Sequence, residues 1–557
     1  MRLSLSWEKN RFLVSCRHGS WEVVHVSRNI DALLERDAHS LLGSDLRTEL
    51  SGELVRAIED VVALMPVDNP ALRCSRAAVG PFGAVCDVLV HRTADLLHLE
   101  FEPALRHRIN ALPSALADGL IARVANDKTG EFFDVCARQV RALTGFDRVM
   151  VYRFLQDDSG EVVAEARAPH ADTYLGLRFP AFDIPPQARR LYLLNRIRAI
   201  PDARYVPVPL VSRDATPLDL SLHSLRSVAP VHLQYLANMG VAASLSVSIV
   251  CGDRLWGLVA CHHGSPLFLD PGTRSALELF GRFLSLRVTA QQQEAALEDL
   301  HAVDYLSSAI TESGKRSGSL IEAVARWSEP VRRLFAADGL AIRVGSAWHA
   351  GSAGVDAATL EDAASWLDRH RHADVSTVDE AAAWRREGDA TWAGLLALRV
   401  DTLTHLVLLH REQVATVTWA GEPAKCVADT AAPRLMPRTR FSAWSDTAGG
   451  RSAPWLSADL RKARRMIRDL RNVRWQAETD FVVRDAAQFL SRQGQLADAR
   501  GRLRDLDHLL SLVPPVDRLL GKVVGERVAQ FQQDMQMLLT DAGRTPDLAV
   551  VSRPDEA

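Results

Sequence analysis

The chain has 557 residues, 47% hydrophobic and 24% charged, with a formal net charge of -3. That length suits roughly three or four domains of ordinary size, each with its own core. The near balance of charge excludes a global attraction to nucleic acid or membrane, so function must reside in discrete sites.

Residues 11 to about 105 alternate strand-like pieces ("FLVSC", "WEVVHVS", "AVCDVLVHR", "LLHLEFEP") with short helical ones, which predicts a small α+β domain. The preceding "MRLSLSWEKN" has no apolar signal core, and the seven cysteines (16, 74, 86, 136, 251, 261, 426) show neither CxxC nor zinc-like spacing. A cytoplasmic protein is expected. A second domain begins near Ser114, with a helix at "FFDVCARQVRAL" and a strand at "DRVMVYRF". Its most apolar stretch, "VAASLSVSIVCGDRLWGLVACHH" from Val241, is broken by Asp253 and Arg254, so it predicts two buried strands and a turn instead of a membrane span. A long helix then runs from "GTRSALELFGRFLSLRV" through "QQQEAALEDLHAVDYLSSAI", with Leu297, Leu300, Val303, Leu306 and Ile310 forming one apolar stripe.

A third domain is expected from about Leu320 to Asp446, followed by a helix from about Leu456. That helix holds seven Lys or Arg between residues 461 and 474, read as a solvated face offset by Asp459, Asp469 and Glu478 in preference to a nucleic-acid surface. Beyond it, two helices broken at Pro514 and Pro515 suit a four-helix bundle with a second copy, and the last fifteen or so residues, with Pro546 and Pro554, read as disordered. The expected divisions are 1–110, 111–300, 301–480, 481–542 and 543–557.

The residues that carry chemistry centre on "LRFPAFDIPPQARRLY", Leu177 to Tyr192. Asp183 stands among Phe179, Pro180, Phe182, Ile184 and Pro185, where a carboxylate is poorly hydrated and must meet a cation or donors, or else protonate. Tyr152, Tyr192, Arg198, Arg226, His232, Tyr235, Ser244, Ser246 and His262 join it along the second domain. Singly, each has an ordinary reading as a core aromatic, a satisfied histidine or a strand serine. Jointly they suit a large, flat, partly anionic ligand. Arginine forks would take its carboxylates, aromatic faces its plane, and Asp183 a cationic centre.

These motifs resemble a known family, the bacterial phytochromes. "DRVMVYRF", "RFPAFDIPPQARRLY", "LRSVAPVHLQYLANMGV" and "LWGLVACHH" are similar to its chromophore-binding GAF domain, in order and spacing. The first domain resembles its PAS domain and the third its PHY domain, with "WAGEPAKC" and "MPRTRFSAWSDTAGGRSAPW" resembling the two arms of a hairpin called the tongue. The implied fold is α+β: tandem PAS, GAF and PHY domains, antiparallel sheets flanked by helices, joined by a long helical spine and followed by a C-terminal helical hairpin. The resemblance implies a linear tetrapyrrole, biliverdin or a related bilin. Asp183 would lie beside its pyrrole nitrogens and pair in one signalling state with the tongue arginine, Arg438. Arg198 and Arg226 would take the propionates, and Ser244 and Ser246 would bond one of them. His232 would sit near the pyrrole nitrogens, with His262, Tyr152 and Tyr192 around the rotating ring.

The pattern also departs from the family. The cysteine of the bacterial thioether is missing before the first strand, as is the turn that belongs to the family's knot, and Val231 stands where plant and cyanobacterial members carry theirs. Cys16 and Cys261 are poor substitutes, since a buried thiol without a nearby cation is inert. Phe182 and Ala229 replace serines usual in the family, and Arg440 replaces the serine of the tongue motif, which puts a second arginine near Asp183. Three functions stay open: a photoreceptor with noncovalent bilin, a chromophore-free scaffold, and a sensor of heme or redox state through Cys251 or Cys261. No catalytic domain is expected after residue 480, and His508 reads as a surface histidine. A homodimer acting on a kinase or transcription regulator is the expected output.

Overall fold

A computed structural model of the protein describes residues 4–5, 11–68, 72–104, 113–125, 131–213, 217–317, 319–350, 354–370, 372–386, 391–423 and 438–471. The expected C-terminal hairpin, His508 and the tail lie outside the described residues.

In the first domain, strands Phe12–Arg17, Val23–Ser27, Leu72–Val79, Ala84–Arg92 and Leu96–Pro103 pair antiparallel. Their period-two alternation sends Val14, Val88, Val90, Leu97, Leu99 and Phe101 to a core closed by helix Gly52–Leu64. That helix starts where Ser51 Oγ accepts the Leu54 N–H at 3.2 Å, and it buries Leu54, Ile58 and Val62 at four-residue spacing.

The other face of this sheet is also buried, and it is polar. Ser15, Asp87, His91, His98 and Glu100 are all at 0% exposure, with Glu102 at 1% and Arg11 at 7%. A segment from the second domain covers it. Strand Val208–Ser212 adds to the sheet beside Val23–Ser27, Ser4–Leu5 pairs on its outer side, and Leu220 and Leu225 pack on Leu13. Glu100 accepts the N–H groups of Ser224 and Leu225 at 2.9 and 3.1 Å, while Glu102 pairs with Arg11 and Arg274. Burial, aided by Glu102, pushes the Glu100 carboxyl up to about 8.

The second domain is built on strands Arg148–Phe154, Gly160–Arg167, Ile197–Ile200, Ala243–Cys251 and Arg254–His263. The last two are the expected strands of the apolar stretch, joined at Gly252 and Asp253. One face packs Val149, Val151, Leu245, Val247, Ile249, Val259 and Cys261 against helices Phe132–Thr144 and Pro271–Ser317. The two arms of the tongue, Ala415–Ala420 and Ala443–Ala448, pair antiparallel and join this sheet through a parallel step at Trp419 and Arg178.

In the third domain, strands Gly339–Val344, Ala347–Ala350, Val375–Val378, Trp392–Arg399 and Thr404–Arg411 form an antiparallel sheet. The basic run is helical over 457–471. It buries Ala463, Met466, Ile467 and Leu470 in the domain core, and its cations meet acids: Arg465 with Asp304 at 2.8 Å, Lys462 with Asp459 at 2.8 Å and Arg471 with Asp374 at 2.7 Å. The stripe on helix Pro271–Ser317 divides, because Val303, Leu306 and Ile310 are buried in that core whereas Leu297 and Leu300 are exposed.

The chain forms two compact units, Met1–Ala296 with Val414–Gly449, and Leu297–Gln413 with Gly450–Ala557. The tongue, expected within the third domain by sequence order, therefore belongs to the compact unit of the first two domains. No helix among the described residues is long and apolar enough to cross a membrane.

Candidate functional site

Register places the candidate residues on the sheet face opposite the helical core. Arg198 stands across from Ser246, Ser244 across from His262, and Tyr152 across from Leu258. Directly opposed residues of antiparallel strands share a face, so one surface carries Arg198, Ser244, Ser246, His262 and Tyr152. Cys261, one residue from His262, points the other way into the core.

Over this face lies the short helical turn Ala181–Asp183, followed by helix Pro186–Leu194 with prolines at its start. The Asp183 and Arg438 side chains are each only 4% exposed and form a two-point ion pair, Nε to Oδ1 at 3.1 Å and Nη2 to Oδ2. The same guanidinium donates to the carbonyl oxygens of Ala420 and Gly421. Rings of Phe441 and Phe179 flank it at 5.3 and 5.9 Å. Tyr235 donates its hydroxyl to Asp183 Oδ2 at 3.1 Å, and Asn238 donates to the Arg438 carbonyl at 2.9 Å. Burial pushes the Asp183 carboxyl up, while Arg438 and then Tyr235 pull it down.

Tyr152 and Phe179 are buried in one apolar cluster with Met150, Tyr174, Ala420 and Phe441, against which Tyr192, Tyr235 and Ile184 pack. The Tyr192 carbonyl accepts the Ser248 hydroxyl at 2.8 Å. Ser246 is buried and Ser244 half-buried. Gly160 permits the close approach of Tyr152, because a Cβ there would stand 1.8 Å from the phenol ring.

The arginine end is separate. Arg198 donates to the carbonyl oxygens of Ser224 and Arg226, and among the described residues no carboxylate lies within ion-pair distance of it. Burial, with the like charge of Arg226, pulls the Arg198 guanidinium down to about 9. Burial lowers Arg226 as well. His232 connects the two ends, stacking on Tyr235 with centroids 6.0 Å apart and sensing the Arg198 charge. Burial holds His232 at about 4 and His262 at about 3, so both rings are neutral at physiological pH, and His262 Nδ1 has no partner among the described residues.

His232, Tyr235 and His262 are densely surrounded by protein, yet each keeps some accessible surface.

Sequence reasoning grouped the acid, aromatics, arginines and histidines around one ligand, and the strand register is what sets Arg198, Ser244, Ser246, His262 and Tyr152 on one face. It did not foresee Asn238, Ala420 or Phe441, which touch Arg438 through carbonyl, amide and ring contacts that carry no motif. Arg440, expected near Asp183, is exposed, and its side chain is no part of the Asp183 ion pair. Among the described residues, Arg438 alone meets that carboxylate at both oxygens.

Comparison with known proteins bears on the whole arrangement. The family model described as PAS fold matches residues 12–104, that of the GAF domain 129–288, and that of the Phytochrome region 304–479. A bacteriophytochrome of Xanthomonas campestris is 34% identical over 448 residues, covering 75% of this chain and 70% of that protein. One of Pseudomonas aeruginosa is 33% identical over 80% of this chain, and cyanobacterial phytochrome B of a Nostoc species 32% identical over 79%. The chain spans 62% and 61% of the lengths of these last two. The photosensory core module of a Stigmatella aurantiaca phytochrome superposes with a TM-score of 0.73 at 30% identity, covering 85% of this chain and 96% of that one. A bacteriophytochrome of the photosynthetic bacterium R. palustris gives 0.73 at 29% identity, covering 86% and 98%. From the three matched domains in order, and from relatives and structures that share them, the chain belongs to the phytochrome family and carries its PAS-GAF-PHY photosensory core.

Proposed function

We propose that this chain is a light sensor whose second-domain sheet face binds a linear tetrapyrrole of the bilin class, biliverdin or a close relative, without a covalent bond. The observation that carries the reading is Arg198, a buried guanidinium beside Arg226 with no carboxylate partner among the described residues. A buried cation without an anion is costly, and a ligand carboxylate relieves that cost through two parallel hydrogen bonds. A second arginine beside it, Arg226, fits a ligand with two carboxylates. The bilin supplies the absorption of red light when bound.

The chain's own residues do the rest. Arg198 and Arg226 hold the carboxylates, with Ser246 and Ser244 on the same strand face. Tyr152 and Phe179 offer apolar surface to the ligand plane. His232 and His262, both neutral, each offer one N–H and one lone pair. Asp183 has lone pairs beyond those used by Arg438 and Tyr235 and accepts from ligand N–H groups. Because Arg438 belongs to the tongue, any change in the charge that Asp183 faces alters what holds the tongue to the pocket.

Noncovalent attachment rests on the thiols. Val231 precedes His232, Cys261 faces the helical core with its thiol pushed up by burial, and the buried Cys16 thiol is pushed up to about 12. Arginine clamps and apolar burial reach about micromolar affinity for a ligand of this size. Signalling would proceed through a homodimer, supported by the exposed Leu279, Leu286, Leu297 and Leu300 on helix Pro271–Ser317, to a downstream kinase or transcription regulator.

The test is to express the chain with and without a biliverdin-producing enzyme, record spectra before and after red and far-red light, and denature in acid. Red absorbance that photoconverts, with pigment released on denaturation, is expected. Folded but colourless protein would overturn the reading in favour of a scaffold, and pigment retained after denaturation would overturn its noncovalent part.

A further inference from the structure

Away from the pocket, three histidines meet inside the first two domains. His91 and His98 stand opposite each other on strands Ala84–Arg92 and Leu96–Pro103, and His223 arrives from the second-domain segment that covers that sheet face. All three are at 0% exposure. His91 stacks on His98 with centroids 4.5 Å apart, and His223 sets its edge to both at 4.3 and 4.8 Å. One ring nitrogen from each lies within 4.8 Å of the other two.

Packing alone accounts poorly for this cluster. A neutral imidazole always carries one N–H and one lone pair. Both nitrogens of His91 and both of His223 are buried without any hydrogen-bond partner among the described residues, so two donors and two acceptors are unmet in one place. Buried polar atoms are nearly always paired, and four orphans converging between three rings indicate a missing partner that bonds to several rings at once.

We propose that His91, His98 and His223 form a buried three-imidazole site for a divalent cation of the zinc class, which fastens the second-domain segment onto the first-domain sheet. Neutral imidazole nitrogen is the donor such borderline cations take. Metal–nitrogen bonds near 2.0–2.1 Å place tetrahedral ligand atoms about 3.4 Å apart, so the rings close inward by about an ångström.

His98 shows how the tautomer would be set. Its Nδ1 meets Ser15 Oγ at 2.8 Å, and its Nε2 meets Thr93 Oγ1 at the longer 3.2 Å. The Ser15 contact orients the ring as a supporting hydrogen bond does around bound metals, and Nε2 exchanges threonine for the cation. No proton need leave, since all three ligands are neutral, and water completes the coordination. The carboxyl of Glu100 lies on the same face two residues from His98 and holds the N–H groups of the two residues after His223, which places an acidic group close to the added charge.

Because the ligands are fully buried, the cation enters while the covering segment closes, so metal uptake and folding are coupled. The test uses tag-free, bilin-free full chain, since tetrapyrrole nitrogens also take zinc. The protein is unfolded in denaturant with chelator, refolded with or without added Zn2+ or Co2+, desalted, and assayed by elemental analysis and visible absorption. The expected result is one zinc per chain that survives a weak chelator, a higher melting temperature than the metal-free sample, and the intense visible bands of tetrahedral Co2+. His223→Gln and His91→Gln should each weaken zinc binding at least about 100-fold, whereas His170→Gln, at an exposed histidine, leaves it unchanged. Should the variants fail to refold, the Co2+ spectrum of the unaltered chain still decides, because surface binding gives only weak octahedral bands. Absence of stoichiometric metal, octahedral Co2+ alone, or binding untouched by both ligand substitutions would overturn the site and leave a water-filled histidine cluster.

Discussion

Asp183 and Arg438 are 255 residues apart in sequence, and each is buried to the same degree. Removing one partner of such a pair leaves the other charge without water or counter-ion, at a cost of about 3–5 kcal/mol. Arg438→Ala is therefore expected to release the tongue, seen as faster amide exchange over 415–420 and 443–448. Unchanged protection would mean that the strand pairing holds the tongue alone. His232 and His262 predict a pH effect of definite sign. Burial depresses both below the ordinary 6.5, to about 4 and about 3, so each binds its proton more weakly in the folded chain. Their contribution is complete above 6.5 and is lost as pH falls toward those values, about 2 kcal/mol per histidine between pH 6.5 and 5. Urea unfolding of ligand-free protein at pH 7.5 and 5 checks this. Burial lowers His91, His98, His223 and His405 as well, so His262→Gln should remove one share of the difference, about 2 kcal/mol, and an identical difference would show that His262 is not among the titrating groups.

At the scale of elements, the tongue turns at Gly421, where φ is +80° and an added Cβ would stand 2.1 Å from the Arg440 carbonyl oxygen. Neither the conformation nor the space admits a side chain. Gly421→Ala should cost at least about 1 kcal/mol and raise proteolysis near the hairpin. Gly119→Ala, on a helix with nothing near the new methyl, should be neutral or slightly stabilising. Cleavage equal in both variants would show that the turn is not what orders the tongue. The first-domain sheet carries a related lesson. Its strands were legible from alternation in "VCDVLVHR" and "LLHLEFEP", but alternation does not say what covers the polar half. That half is a buried layer, because strand Val208–Ser212 and residues 217–225 cover it and supply Ser224, Leu225 and His223 to acids and histidines that would otherwise meet water.

For the whole molecule, the division of the long helix's stripe bears on assembly. Leu286 and Leu297 are 71% and 56% exposed, so replacing them costs no core packing. Leu286→Glu with Leu297→Glu is expected to convert a dimer to monomers by light scattering without lowering the melting temperature of the monomer. A dimer that persists would move the interface to another surface.

Local rules settled much of this protein in advance. Residues 243–263 had to be two strands and a turn, because nine-residue apolar runs around Cys-Gly-Asp permit little else. The period of two also placed Arg198, Ser244, Ser246, His262 and Tyr152 on one face once the strands were paired. The tertiary structure decided which faces were covered and by what. Alternation shows that a face is polar, and whether that face meets water, a distant loop or a tongue depends on contacts between residues far apart in the chain. For that reason Arg438 meets Asp183 while Arg440 points outward, and His91, His98 and His223, with no spacing that marks them, share one buried space.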